Sequence, residues 1–199
     1  MSRLVFSCLV LGCGAMAWGE PPAARLPQPD FQPQPSDPAW LAAVVQLHGH
    51  LGPAVVAGAR MGMAGLRAVE AQGYFDVEVT CRGPLARPPQ SCFLDGLQMG
   101  TGATLGKRTL HWVEAEQLVV RIQNTRTGRT AELRPAPALT ALLVGFAPRT
   151  KSAATPSAAP PSTENRRADA QLEATARKIA AMPEHQIAVI RVTDEGKPR

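Results

Sequence analysis

Hydrophobic and polar positions follow two different periods along this chain, which predicts both helices and strands. Apolar residues recur every three or four positions in several segments, a spacing that places them on one face of a helix. The predicted helices cover residues 38–48, 53–72, 91–99, 138–146 and 165–182. Other segments alternate apolar with polar residues or are rich in β-branched residues, and both patterns are typical of strands. The predicted strands cover residues 74–81, 111–124, 130–133 and 186–192.

The order of these elements predicts how the strands pair. Residues 125–129 separate two strand segments and place Gly128 where a left-handed backbone is needed, which predicts a hairpin. In the strand over residues 74–81, Phe75, Val77 and Val79 are predicted to face the core. The sequence therefore predicts an α+β fold, with a mostly antiparallel sheet packed against helices.

Three tracts lack these periodicities. Residues 1–19 combine a basic start, a short apolar run and small residues, the pattern of a signal peptide. Residues 20–38 are rich in proline, which predicts an extended spacer. A third tract, at about 149–164, is rich in Ala, Ser and Pro, which predicts a disordered insertion. With a tail at 194–199, one α+β domain over 39–193 remains.

The leader predicts a protein that is periplasmic or otherwise exported. Its apolar run is too short to span a bilayer as a helix. The segment ending at Cys13 also resembles a lipobox, so a lipid anchor on Cys13 is the alternative to a cleaved signal peptide. The net charge is +5, but the arginines are scattered and few aromatic residues lie among them. This distribution argues against a nucleic-acid partner, and leaves an unknown protein or a small-molecule ligand.

Glycines and cysteines add two structural expectations. Gly58, Gly62 and Gly65 lie within one predicted helix, which indicates a tight packing face and is consistent with a homodimer. Of the four cysteines, Cys81 and Cys92 lie in the predicted domain. In an oxidising compartment these two form a disulfide or remain free thiols, and their spacing permits both.

The candidate chemistry lies in two short segments. His48 and His50 flank the junction of two predicted helices, and neutral imidazoles are common ligands of transition metals. Cys92 begins a later helix, where the helix dipole favours a thiolate, so it is a candidate metal ligand or nucleophile. Asp95 follows one turn later as a ligand, a catalytic base or the partner that orients a histidine. We predict that both segments face one cleft.

A glycine-rich run over residues 100–107 follows this helix. Its spacing does not fit a nucleotide-binding loop, because Arg108 stands where a Ser or Thr is required. Thr101, Thr104 and Lys107 could still form a small anion-binding pocket, since hydroxyls, exposed amides and a cation act together on anions. The alternative is a tight turn required by backbone geometry alone.

Four motifs in this order resemble the signature of the FmdE-like family of formylmethanofuran dehydrogenase. They are His-Gly-His-Leu-Gly-Pro at 48–53, Gly-x-Arg-Met-Gly at 58–62, Cys-x-x-Asp-Gly-Leu-Gln at 92–98, and Thr-Gly-Ala-Thr-Leu-Gly-Lys at 101–107. The resemblance implies an α+β core with a metal-binding groove between the His-x-His and Cys-x-x-Asp segments.

The chain lacks several cysteines that the family pattern contains. The family usually has cysteines at the positions of Gly52 and Ala103, and often a zinc module whose cysteines would follow Cys92, where this chain has none. The reduced thiol set favours zinc, nickel, cobalt or copper over an iron–sulfur cluster. An exported chain also has no access to a cytoplasmic dehydrogenase.

The leading hypothesis is an exported protein that binds a transition-metal ion, zinc first, through His48, His50 and Cys92. Asp95 acts as a ligand or an outer-shell partner, in metal handling or an accessory redox role. The alternatives are a thiol-dependent enzyme with Cys92 and Asp95 as catalytic residues and a histidine as base, and a degenerate binding module without catalysis.

Overall fold

The computed structural model describes residues 26–144 and 163–194. In these residues six helices and five strands follow one another along the chain. They are α1 (Trp40–His48), α2 (Pro53–Ala68), β1 (Val77–Gly83), α3 (Cys92–Thr101), β2 (Leu110–Glu114), β3 (Val119–Asn124), β4 (Arg129–Pro135), α4 (Pro137–Val144), α5 (Thr163–Ala181), α6 (Glu184–Ile187) and β5 (Ala188–Asp194).

The strands form one sheet in the order β2-β1-β3-β4-β5. The pairs β1–β3, β3–β4 and β4–β5 are antiparallel, and only β1 and β2 are parallel. The predicted α+β class with a mostly antiparallel sheet is therefore confirmed. The predicted hairpin is β3–β4, and Gly128 has the expected left-handed backbone, with φ 80°.

The strand predicted over residues 111–124 is two strands on opposite edges of β1. Val79 is in register with Leu110 of β2 on one side and with Ile122 of β3 on the other. Helix α3 connects β1 to β2, and a helical crossover returns the chain parallel to the first strand. Residues 115–118 then reverse the chain, so β3 runs antiparallel.

The predicted start of β1 was wrong by three residues. Asp76 is 4% exposed and its carboxylate accepts hydrogen bonds from the backbone N–H groups of Gln72 and Gly73, at 3.1 and 2.8 Å. Tyr74 has a φ of 63°, so this segment is a turn. Phe75 is consequently 78% exposed, although the alternation predicted it in the core.

Helix α2 ends at Ala68, four residues before the predicted end. Glu70 adopts a φ of 54°, and the N–H of Ala71 donates to the carbonyl of Leu66 at 3.0 Å. This left-handed residue with a back-directed hydrogen bond is a Schellman-type helix end. Asn124 of β3 donates from its amide to the carbonyl of Val69 at 3.1 Å, which stabilises the end from the sheet.

Helix α2 lies at the centre of the fold and contacts α3, α5 and three of the strands. The predicted tight face is confirmed, because a Cβ added to Gly58 would lie 2.1 Å from the carbonyl oxygen of Phe93. From α3, a Cβ added to Gly96 would lie 1.9 Å from the carbonyl oxygen of Val55. The two helices therefore touch backbone to backbone, which holds α3 in a defined position.

The residues 26–38 lie against the domain. Arg177 of α5 donates to the carboxylate of Asp37 at 3.0 Å and to the carbonyl of Gln32 at 3.1 Å, and its guanidinium lies over the ring of Phe31. Phe31 also packs on the core. This part of the predicted spacer is anchored by a partly buried ion pair, and it does not act as a free linker.

Several predictions fall on residues outside the described ranges. These are the signal peptide over 1–19 with Cys13, the first six residues of the spacer, and the tail after Asp194. The insertion predicted over about 149–164 also lies outside them, apart from Thr163 and Glu164, which begin α5. Within the described ranges, no helix has the length and apolar character needed to cross a membrane.

Candidate metal site

His48 is the last residue of α1. Gly49 ends the helix with a φ of 90°, and its N–H donates to the carbonyl of Val45 at 2.7 Å. Leu41, Val44 and Val45 bury the inner face of α1 against the rest of the core, including α3. These contacts fix the end of α1 beside the first turn of α3.

The carboxylate of Asp95 on α3 lies 2.7 Å from Nδ1 of His48. Because a carboxylate only accepts hydrogen bonds, Nδ1 carries the proton, and in the neutral ring Nε2 then holds a lone pair. The side chain of His48 is 8% exposed and that of Asp95 is 42% exposed. Nε2 of His48 is buried and has no hydrogen-bond partner among the described residues.

A buried polar atom without a partner costs free energy, so native proteins rarely retain one without a reason. The pattern of His48 is that of many metal-binding histidines. In these, a carboxylate binds one ring nitrogen, sets the tautomer and orients the other nitrogen toward the ion. Of the three roles predicted for Asp95, its geometry matches the orienting one.

His50 lies beside His48, with 4.6 Å between the ring centroids and 40° between the ring planes. Partial desolvation and the nearby His48 lower the pKa of His50, and Asp169 opposes them. His50 therefore favours the neutral form. A Cβ added to Gly52 would lie 3.2 Å from Nε2 of His50. A cysteine at this position, as the resemblance implies, would thus lie next to the imidazole.

A cleft of about 370 Å³ opens beside His48 between α3 and β2. The polar lining comes from the end of α1 and from the start and exposed face of α3. The apolar lining comes from β2 and the segment before it, and also from Pro88 ahead of α3 and Leu94 on α3. The polar lining residues are His48, Ser91, Cys92, Asp95 and Gln98, and the apolar ones are Pro88, Leu94, Leu105, Leu110 and Trp112. The structure thus brings His48, Cys92 and Asp95 together, whereas His50 does not line the cleft.

The two cysteines of the domain are free thiols. Burial raises the pKa of Cys92, and the negative charge of Asp95 raises it further, against a backbone hydrogen bond that lowers it. The stabilisation of a Cys92 thiolate that was predicted from its place at the helix start is therefore outweighed, and the net shift favours the protonated thiol. Cys81 is fully buried in β1, and this burial raises its pKa to about 12.

The three residues predicted to bind an anion have other contacts. The hydroxyl of Thr101 is buried, donates to the carbonyl of Leu97 at 2.6 Å and accepts from the N–H of Ala103 at 3.1 Å. The hydroxyl of Thr104 accepts from the backbone N–H of Lys107. The ammonium of Lys107 lies over the rings of Tyr74 and Phe75, at 5.4 and 5.2 Å. These contacts support the alternative of a tight turn.

Comparison with known proteins identifies the family. The family model described as FmdE, molybdenum formylmethanofuran dehydrogenase operon, matches residues 47–189. The chain belongs to the FmdE family. A similar solved structure is that of a tungsten formylmethanofuran dehydrogenase FmdE-like protein from Syntrophus aciditrophicus. It has 14% sequence identity and a TM-score of 0.46, over 78% of this chain and 70% of that one. No curated protein matches the chain.

The donor set of this FmdE-family member fits a metal ion only in part. Nε2 of His48 is suited to coordination, because it is buried, oriented and unpartnered. Across residues 26–144 and 163–194, however, no three His, Cys, Asp or Glu side chains come close enough together to hold an ion. The predicted set of His48, His50 and Cys92 is therefore not assembled as a closed site, which requires four ligands for zinc.

Sequence reasoning missed the apolar lining of the cleft. Trp112 was predicted within a strand, and its exposure at the sheet edge depends on the parallel pairing of β2, which the periodicity did not reveal. Gln98 belongs to the motif quoted for the family, but its side chain was given no role. Its amide lies 3.4 Å from the Asp95 carboxylate and donates to it.

Proposed function

We propose that this FmdE-family protein is exported and handles a transition-metal ion, zinc first, which it binds as cargo through Nε2 of His48. The buried, unpartnered Nε2 carries the proposal, because Asp95 holds the opposite ring nitrogen at 2.7 Å. The signal-peptide pattern of residues 1–19 supports the exported location.

Neighbouring residues supply candidates for further donors. The lowered pKa of His50 keeps its ring neutral near pH 7, which leaves a nitrogen available for coordination. Cys92 lines the same cleft as His48, but its raised pKa means that a proton must leave before sulfur binds the ion. Metal affinity is therefore expected to increase with pH.

The incomplete donor set supports cargo binding over a structural role. Structural zinc sites are closed by four protein ligands, whereas sites that exchange ligands keep positions open. A site with one oriented imidazole can receive an ion and release it again, once the side chains that cover the buried Nε2 of His48 move aside. Of the alternative functions, a Cys92-dependent enzyme loses support from the raised thiol pKa.

The test is a zinc titration of the purified protein by calorimetry, with the His48→Ala variant. We expect one zinc ion to bind the parent protein, and its affinity to fall at least tenfold in the variant. The matched control is His185→Ala, because His185 is an exposed histidine of α6 away from the cleft. Thermal denaturation checks that both variants are folded.

Two results would overturn the proposal. One is equal zinc affinity in the parent and in His48→Ala, which would place the ion elsewhere. The other is a parent protein that binds none of zinc, nickel, cobalt or copper, which would leave the degenerate binding module as the remaining hypothesis.

A further inference from the structure

We propose that the cleft between α3 and β2 binds a small organic ammonium ion, with its charged group at Asp95 and its apolar body on Trp112. A carboxylate and an indole ring line the same cleft, and no lysine or arginine of the described residues lines it. The ammonium ion needs neither a metal nor the buried Nε2 of His48, so this site is independent of the proposed function.

The carboxylate of Asp95 has room for a further hydrogen-bond donor. One oxygen accepts from Nδ1 of His48 at 2.7 Å, and the other accepts only a long hydrogen bond of 3.4 Å from the amide of Gln98. Each carboxylate oxygen can accept more than one hydrogen bond, and the side chain is 42% exposed. No lysine or arginine in the described parts of the chain forms an ion pair with Asp95. An ammonium group suits this position, because its hydrogen bonds to a carboxylate are charge-assisted.

Trp112 supplies an aromatic surface in the same cleft. Its indole N–H donates to the carbonyl of Gly83 at 3.2 Å, which holds the ring against the edge of the sheet. With that polar group satisfied, the ring offers apolar surface to a ligand, and Trp112 is 38% exposed. Leu105, which is 69% exposed, extends the apolar lining. The face of an indole ring also attracts cations, so this surface accepts an apolar body that carries a positive charge.

Ligands of other kinds fit this lining less well. A neutral apolar ligand would displace water from the carboxylate of Asp95 and return no hydrogen bond, which costs free energy. An anion would be repelled by the same carboxylate. A small inorganic cation would leave the surfaces of Trp112 and Leu105 in contact with water. An organic ammonium ion satisfies the carboxylate and covers the apolar lining at the same time.

The size of the cleft limits the ligand to a small molecule. Small-molecule sites have volumes of roughly 300–1,000 Å³ and combine apolar lining with a few oriented polar groups. At about 370 Å³, the cleft is at the small end of this range. A second pocket, of about 290 Å³, is lined by residues that include Pro53, Leu85 and Phe93, and no charged residue of the described chain lines it. Binding there would not depend on the charge of the ligand, which distinguishes the two places.

The experiment compares three probes by calorimetry on the purified protein without added metal. The 2-phenylethylammonium ion has both an ammonium group and an apolar body. The alcohol 2-phenylethanol has the same body without the charge, and the ethylammonium ion has the charge without the ring. We expect 2-phenylethylammonium to bind about tenfold more tightly than either of the other two probes.

One variant connects the preference for a charged probe to the carboxylate. In Asp95→Asn, the advantage of 2-phenylethylammonium over 2-phenylethanol is expected to disappear, because the amide has no charge. Glu78→Gln is the matched control, since Glu78 is a carboxylate that does not line the cleft, and the advantage should persist in it. Thermal denaturation checks that both variants are folded.

Two further variants connect the binding to the indole. Trp112→Ala is expected to lower the affinity for 2-phenylethylammonium about tenfold. Trp112→Phe keeps an aromatic ring and is expected to retain part of this affinity, which guards against a misfolded alanine variant. Phe75→Ala is the control, because Phe75 is an exposed aromatic residue that does not line the cleft.

Three results would overturn the ammonium site. They are equal affinities for 2-phenylethylammonium and 2-phenylethanol, an advantage of the charged probe that persists in Asp95→Asn, and an unchanged affinity in Trp112→Ala. Binding of no probe has the same consequence. None of these results bears on zinc binding through His48, because the titrations contain no metal. Conversely, a protein that binds 2-phenylethylammonium as expected but no metal ion would keep the ammonium site and lose the proposed function.

Discussion

Helix α3 has two faces built from different residues, one packed against α2 and one lining the cleft. On the packed face, Gly96 and Gly100 bring the backbone of α3 against that of α2, with Phe93 and Leu97 buried beside them. On the cleft face, Cys92, Asp95 and Gln98 are partly exposed and line the same cleft as His48. The same ten residues therefore serve both packing and chemistry.

The difference shows how a small domain holds a polar site in place. The glycine contacts permit only one close approach of α3 to α2, because almost any side chain at these positions would collide with backbone. This rigidity, together with the hydrogen bond from Gln98, holds Asp95 at 2.7 Å from His48. Substitutions on the packed face should therefore change stability, and those on the cleft face should change binding.

The largest expected effect comes from Gly96→Ala on the packed face. The added Cβ would lie 1.9 Å from the carbonyl oxygen of Val55, so α2 and α3 must separate. We expect a loss of about 3 kcal/mol in the free energy of unfolding, measured by urea denaturation. Gly106→Ala is the matched control, with its nearest neighbour at 4.0 Å and an expected change within about 0.5 kcal/mol. Equal effects of the two would contradict the backbone contact.

The second effect comes from Asp95→Asn on the cleft face. The amide keeps the shape of the carboxylate but removes the charge that orients and polarises His48. Zinc affinity is expected to fall about 10–100-fold, with a change in unfolding free energy below about 1 kcal/mol. Glu78→Gln is the control, since Glu78 is a carboxylate near His111, at 3.6 Å and outside the cleft. Unchanged zinc affinity in Asp95→Asn would remove the orienting role.

The third effect distinguishes a cleft thiol from a core thiol. The variant Cys8→Ser, Cys13→Ser leaves Cys81 and Cys92 as its two thiols. Cys92 should react with a thiol reagent in the native protein. Cys81 should react only after unfolding, because it is 0% exposed. The raised pKa of Cys92 predicts slow labelling near pH 7 that accelerates as the pH rises. Cys92→Ser should abolish the native reaction. Rapid native labelling of both thiols would contradict the burial of Cys81.

The smallest effect is the pH dependence from His50. Its pKa is lowered in the folded protein by desolvation and by His48, so the unfolded chain binds this proton more readily. The contribution of His50 to the free energy of unfolding is fully present above the pKa of the unfolded chain, about 6.5. It is lost as the pH falls from there through the lower pKa of the folded protein. Urea denaturation at about pH 7.5 and about pH 5.5 should show a smaller loss for His50→Gln than for the parent. His185→Gln should behave like the parent.

Much of the fold could be predicted, because its signals are local. The apolar spacing located α1 and α3 to within two residues, and the turn at Gly128 located the β3–β4 hairpin. The error at Phe75 came from a local turn around Asp76 that overrides the alternating pattern. The error at β2 came from a parallel pairing across α3, which no short segment encodes.

The candidate site was predictable only as a set of residue types. Histidine, cysteine and aspartate in two motifs indicated a shared cleft, but three roles for Asp95 were equally consistent with its place in α3. The contact with His48 joins residues 47 positions apart, and it depends on how α1 and α3 pack. The direction of the Cys92 pKa also depends on burial, which outweighs the helix position.

Local patterns alone were sufficient for the helices, the hairpin, the glycine face of α2 and the segments that carry the chemistry. Periodicity and backbone preference act within a few residues, so these features can be read from the chain directly. The partner of Asp95, the edge position of Trp112 and the protonation of the thiols arose only on folding. They depend on distances and desolvation between segments far apart in the chain, and only the packed structure sets these.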